Sequence, residues 1–178
     1  QGQGFRLTRR ISSPPRAEDF ATMRLPDEDV EGLKACRIGH CDVKLDGQGI
    51  ERVRREVTWS APAASTSANA LIRELLLSYV QGYVAAGDQR IPVYRDKSQP
   101  TLVGADLREM IAELPDITTF MPAVRRDLLA DPPTLPPGAT SFLYWQETEF
   151  GLKPTVRISH LTAWNTRDAT VVVSKMIY

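Results

Sequence analysis

An α+β fold built on an antiparallel sheet is what the order of patterns in this chain predicts, and three observations carry the prediction. Two strand-like runs, Thr155 to Trp164 and Ala169 to Tyr178, flank a short polar turn, Asn165 to Asp168, and both alternate apolar with polar residues. Two further runs, Thr140 to Phe150 and Phe5 to Ile11, share that two-residue period. The middle of the chain is instead helix-like and dominated by one long apolar segment, Thr66 to Ala86. The N-terminal strand, the C-terminal hairpin and the strand preceding it are therefore expected to form one sheet packed on a long central helix, in a single domain spanning 1–178.

In chain order, Phe5 to Ile11 is ended by Ser12-Ser13-Pro14-Pro15, and Ser13, the prolines and Glu18-Asp19 read as the start of a short helix. Pro26 with Asp27, Glu28 and Asp29 starts another, running to about Ala35 with Val30 and Leu33 on one side. Asp42 to Leu45 suits a short strand, and Gly49 to Val57 a helix with Ile50, Val53 and Val57 on one stripe. The long helix is expected to start at Ser65 or Ser67 and stop at Gly87. Its apolar residues, Leu71, Ile72, Leu75, Leu76, Tyr79, Val80, Tyr83 and Val84, cover more than half its circumference, which predicts deep packing. Ile91 to Arg95 is extended, with Pro92 pointing to an edge. Val103 to Leu114 and Pro122 to Ala130 are helices, the first with Leu107, Met110, Ile111 and Leu114 inward. Residues 131–138 are a proline-rich connector that can be neither helix nor central strand.

The hairpin holds the residues of most functional interest. Pairing Trp164 with Ala169 gathers Val156, Ile158, His160, Thr162 and Trp164 on one face, with Val171, Val173, Lys175 and Ile177 beside them. A slip of one residue would exchange this apolar set for Arg157 and Ser159. His160 and Lys175 are polar intruders among branched and aromatic neighbours, which marks that face as a place for a ligand cavity or a polar network. Trp145, from the preceding strand, is placed to floor such a cavity, and Tyr79 and Tyr83, one helical turn apart, to wall it.

Composition excludes several functions. With 22 basic and 22 acidic residues the formal charge is zero, so no net field draws the chain to nucleic acid or anionic lipid. The most apolar window, Leu71 to Ala86, is interrupted by Arg73, Glu74, Ser78, Gln81 and Gly82, so no membrane span is expected. The chain opens without an initiator Met and closes inside a strand-like run, and is expected to be trimmed at both ends. No GxSxG, HExxH, P-loop or GxGxxG motif occurs, and neither a cofactor nor a metal is expected. His160 with Glu147 or Glu149 is the one acid–base pair worth considering for an enzyme. The only cysteines, Cys36 and Cys41, bracket a four-residue loop containing Gly39. A disulfide, two free thiols and a metal site that adds His40 are the three readings of that loop.

Several stretches together carry a resemblance: RRISSPPRAEDF, LPDEDVEGLKACRIGHCDVKL, YRDKSQPTLVGADLREM, LPPGATSFLYWQETEFGLKPTVRISHLT and VVVSKMIY. They resemble an uncharacterised family of bacterial proteins made with signal peptides, and the resemblance covers nearly the whole chain. In a longer form, with further strands and a basic C-terminal helix, that family is similar to the START-like, helix-grip (SRPBCC) superfamily, a curved sheet wrapped around a long helix over an apolar cavity. The resemblance implies an incomplete helix-grip fold here and a periplasmic or secreted location, an oxidising compartment in which Cys36 and Cys41 are expected to be bridged.

The reading that follows is a non-catalytic extracytoplasmic binding or carrier domain for a hydrophobic, lipid-like ligand. His160, Trp164, Lys175, Trp145, Tyr79 and Tyr83 are its expected ligand-binding residues. The alternative is an accessory structural subunit of a cell-envelope assembly, in which the same apolar surfaces meet a protein partner.

Overall fold

A computed structural model describes residues 4–130, 135, 137–149, 153–165 and 169–178. Thr166 to Asp168 of the expected turn, most of the proline-rich connector, and Phe150 and Gly151 lie outside them. The fold is α+β, with a four-stranded antiparallel sheet and a long helix. The chain divides into two compact units, Phe20–Asp106 and a second made of Gln1–Asp19 with Leu107–Tyr178.

The sheet belongs to the second unit. Its strands are β1 (Gly4–Arg10), β2 (Thr140–Glu149), β3 (Thr155–Asn165) and β4 (Thr170–Met176), in that spatial order. These are the four strands expected from the alternation, each within a few residues of its expected limits. The β3–β4 register differs from expectation by two residues: Trp164 lies opposite Val171 rather than Ala169, and His160 opposite Lys175. The strand runs one residue further than Trp164, because Asn165 pairs with Thr170 and accepts a hydrogen bond from the Thr170 hydroxyl at 2.9 Å. Since side chains alternate with a period of two, a two-residue shift changes every partner and leaves every face intact. The expected apolar face is the buried one. Trp145 and Ile158 are fully enclosed at 0% exposure, while Trp164 at 6%, Lys175 at 7% and Ile177 at 5% are nearly so.

The other face is mixed. Thr148 is buried there and bonds the Thr155 hydroxyl at 3.1 Å and Arg157 at 3.0 Å, while Val172 and Met176 of the edge strand stand in solvent. Strand β1, at the opposite edge, is broken by an irregularity between Phe5 and Leu7 and carries three arginines. This unit also holds α5 (Pro115–Phe120), which the pattern did not predict, and α6 (Pro122–Leu129). Prolines at the start of both helices suit a first turn that has no use for their missing amides.

The first unit is helical: α1 (Asp27–Lys34), α2 (Gly47–Glu56) and α3 (Ala64–Ala86), followed by a short 3-10 turn at Gly87–Arg90. Helix α4 (Val103–Glu113) contains the boundary between the units. Helix α3 starts without a hydroxyl cap, because turns closed by Ala61 N–H to Thr58 and Ala64 N–H to Ala61 lead the chain straight into it. It stops at Gly87, whose φ of 65° places it in the left-handed region. Leu71, Ile72, Leu75, Leu76, Val80 and Tyr83 are buried along it, whereas Val84 is 50% exposed. On α4 only Ile111 is buried, and Met110 and Leu114 face solvent instead of the interior.

Specific contacts tie α3 to its surroundings in this unit. Asn69 accepts from the Leu25 amide at 2.7 Å, and Arg73 reaches the carbonyls of Ala21 and Met23. Arg52 of α2 donates to Glu56 and to Glu74 of α3, each at 2.9 Å. Gly104 is required by a close approach, since a methyl group there would meet the Asp88 carbonyl oxygen at 2.4 Å.

Cys36 and Cys41 are disulfide-bonded, and both are buried. Gly39 takes a φ of 83° inside the loop and donates to the Arg95 carbonyl at 2.7 Å, while Cys41 donates to Asp96 at 2.9 Å. The segment expected as a strand at Asp42–Leu45 is not one: isolated bridges flank it, His40 with Lys97 and Asp46 with Tyr94, and the Leu45 carbonyl accepts from the Arg95 amide at 2.8 Å.

Two stability outcomes are expected. Leu75→Ala or Leu76→Ala should cost about 2 to 5 kcal/mol in urea denaturation, the range for emptying a buried leucine site. A loss under about 1 kcal/mol at both would contradict the burial of α3. Replacing both cysteines by serine should cost no more than about 2 kcal/mol, because so short a loop removes little chain entropy from the unfolded state. Its main effect should be faster amide exchange at Gly39 and Cys41.

Candidate functional site

Four of the six expected site residues share the buried face of the sheet. Trp145 comes from β2, His160 and Trp164 from β3, and Lys175 from β4. Direct pairing sets Trp145 opposite Ile158, and Leu143 and Lys175 on either side of His160. The cross-strand rungs on this face are thus Leu143–His160–Lys175, Thr162–Val173 and Trp164–Val171. His160 is half-buried and Lys175 is almost wholly so, an unusual place for an ammonium group, which is rarely buried without interactions to hold it. Both take part in further interactions within the chain.

The two tryptophans are used differently. The Trp145 indole donates to the Asp19 carbonyl at 2.8 Å and so fastens the segment after β1 to the sheet. Its ring fills the interior and its one polar atom is satisfied, the usual state of a buried tryptophan. Trp164 is 6% exposed, and its indole nitrogen is buried with no hydrogen-bond partner among the described residues.

Tyr79 and Tyr83 belong to the other unit and are occupied there. The Tyr79 hydroxyl donates to Asp46 Oδ1 at 2.8 Å, and the same oxygen caps α2 by accepting from the Gly49 amide at 2.7 Å. Gly49 is needed at this point, since a methyl group would lie 2.9 Å from both the carboxylate and the phenol. Tyr83 is 4% exposed, and burial together with the nearby Asp88 carboxylate pushes its phenol well above the usual range. It is a neutral core side chain. The Asp46 cap and the buried Asp88 were not anticipated; an Asp directly before Gly47-Gln48-Gly49 was the one available signal for the first.

The acid–base pair is not assembled. Glu147 lies opposite Val156, four residues along β3 from His160, a separation of about 13 Å at the usual strand rise. Arg6 forms ion pairs with both Glu147 and Glu149. The metal reading of the cysteine loop is corrected by the disulfide, which commits both sulfurs to each other. Among the described residues no group of His, Cys, Asp and Glu is close enough to hold a metal ion, and no helix is long and apolar enough to cross a membrane.

Trp145→Phe should therefore behave as a structural lesion. It leaves the Asp19 carbonyl without its donor and opens space in a filled interior, for an expected loss of about 1 to 3 kcal/mol in chemical denaturation. An unchanged midpoint would mean that the hydrogen bond to Asp19 does not hold the segment.

Comparison with family models, with curated proteins and with solved structures returned no match to this chain.

Proposed function

We propose that the chain is a non-catalytic, extracytoplasmic binding or carrier domain that holds a hydrophobic, lipid-like ligand against the buried sheet face. The observation that carries the reading is the pairing of His160 with a nearly buried Lys175 on a face that also carries Ile158, Thr162, Trp164, Val171, Val173 and Ile177. Burying an ammonium group in such a setting is costly, and a hydrophobic core has no need of it. Sites that bind small amphiphiles combine an apolar lining with a few placed polar groups, which is the composition of this face. The Cys36–Cys41 disulfide supports an oxidising compartment, in keeping with a periplasmic or secreted protein.

A second reading, an accessory subunit of a bacterial envelope assembly, is favoured by the β4 edge. Val172 is 56% exposed and Met176 52%, on a strand whose one charged residue, Lys175, is turned inward. Edge strands usually carry outward charges or irregularities that discourage pairing, as β1 does.

Native mass spectrometry of protein isolated without detergent, followed by lipid extraction, distinguishes the two. The carrier reading expects a stoichiometric lipid, and expects His160→Leu to fold normally while changing which lipid is retained. A lipid-free protein that co-purifies with a second polypeptide would replace the carrier reading with the subunit reading.

A further inference from the structure

A different surface lies in the helical unit, on the disulfide loop and the extended segment beside it. Gly47, at the start of α2, is its floor: a methyl group there would lie 3.8 Å from both the Ile38 and the Arg95 side chains. The antiparallel bridges Asp46–Tyr94 and Tyr94–Thr101 bring the next residues along, Gly47 across from Val93 and Val93 across from Leu102. Three aliphatic side chains are gathered in this way, Ile38 at 48% exposure, Val93 at 42% and Leu102 at 50%. Single apolar residues on a surface need no explanation, whereas neighbouring ones mark a site of interaction. The backbone beneath them is fixed in advance, with the Gly39 amide on the Arg95 carbonyl, the Cys41 amide on that of Asp96, and the disulfide buried underneath.

Charge is sorted around this patch. The whole chain is neutral, yet here the acids turn in and the bases turn out. Asp46 caps α2 and accepts from Tyr79, Asp88 and Asp96 are buried, and the Asp42 carboxylate lies against Gly32 of α1. Asp106, exposed one helical turn after Leu102, marks the acidic limit of the patch. Arg37, His40 and Lys97 stand side by side through the Arg37–His40 and His40–Lys97 bridges, and Arg95 is two residues before Lys97. All four are exposed. Lys97 donates to a neutral acceptor, the Cys41 carbonyl, and among the described residues the guanidinium groups of Arg37 and Arg95 meet no carboxylate.

An apolar centre with arginine at hand is the composition of a protein interface. We infer that this loop face is a docking surface for a segment of a partner protein that carries carboxylates beside apolar side chains. The arginine fork matches a carboxylate with two parallel hydrogen bonds, and the aliphatic trio takes the apolar neighbours. A lipid surface fits less well, because inserting side chains must reach the acyl region and these three are about half covered by their own unit. A second copy fits less well too, since a symmetric pairing through one face would set like charges against each other. The inference is independent of the sheet face and its ligand.

The test selects displayed random peptides on the full chain at low salt and uses the synthesised winners as probes. They should carry Asp or Glu next to Leu, Ile, Val or Phe, and high salt should weaken their binding. Arg95→Glu and Leu102→Asp should each lower their affinity roughly tenfold or more. Phe120→Asp, at an exposed apolar position of the other unit, should leave it unchanged. Should a variant fold poorly, the wild type supplies a second measurement: added peptide should shift the amide signals of Gly39, Cys41 and Arg95 in nuclear magnetic resonance. Failure to select any peptide, winners without acidic residues, equal affinity of the wild type and both variants, or amide shifts confined to the sheet unit overturns the inference. So do two results that assign the face to another occupant. Binding to phosphatidylserine-containing vesicles that Arg95→Glu abolishes would make it a membrane surface, and self-association in sedimentation that Leu102→Asp abolishes would make it a contact between copies.

Discussion

The constraint on which most of the sheet unit depends is parity. A sheet that buries one face must send alternate residues of each strand to that face, and the interior here is assembled from Trp145, Ile158, Trp164 and Ile177 on that basis. Moving β3 by one residue would bring Arg157 and Ser159 to this face and expel Ile158 and Trp164, a change that the apolar surface those two side chains bury opposes. The same rule takes Lys175 inside with its apolar neighbours. There the lysine keeps an interaction within the chain.

The helical unit depends on different physics. Helix α3 gives it a long buried stripe, and its neighbours are attached at points where backbone groups need partners: the Leu25 amide on Asn69, and the α2 amino terminus on Asp46 with Tyr79 behind it. Two glycines, Gly49 and Gly104, let elements approach more closely than any side chain would allow. The disulfide loop is held along the 94–97 segment by backbone hydrogen bonds, so the covalent bond closes a piece of structure that is already well anchored.

The candidate site draws on both features of the sheet, apolar enclosure and misplaced polarity. Trp145 and Trp164 show how burial alone does not define a role. One ring has its polar atom satisfied by the main chain and serves packing, whereas the other encloses a donor with no acceptor among the described residues.

The sequence by itself determined the α+β class, the four strands, the long helix with its stop at Gly87, and the face of β3 that is buried. All of these follow from local periodicity and from conformational preferences that a few neighbouring residues decide. The β3–β4 register was not local in that sense: alternation is unchanged by a two-residue shift, so the choice fell to the Asn165–Thr170 pair that closes the hairpin. Tertiary structure also assigned Tyr79 and Tyr83 to the helical unit, where the Tyr79 hydroxyl bonds Asp46 and the Tyr83 ring is buried near Asp88. It turned Val84, Met110 and Leu114 outward, because a helical stripe shows which residues can be buried together and the available neighbours decide how many are. That the Trp164 donor has no acceptor among the described residues was hidden in the sequence for the same reason, since a hydrogen-bond partner is a property of positions in space and not of residue type.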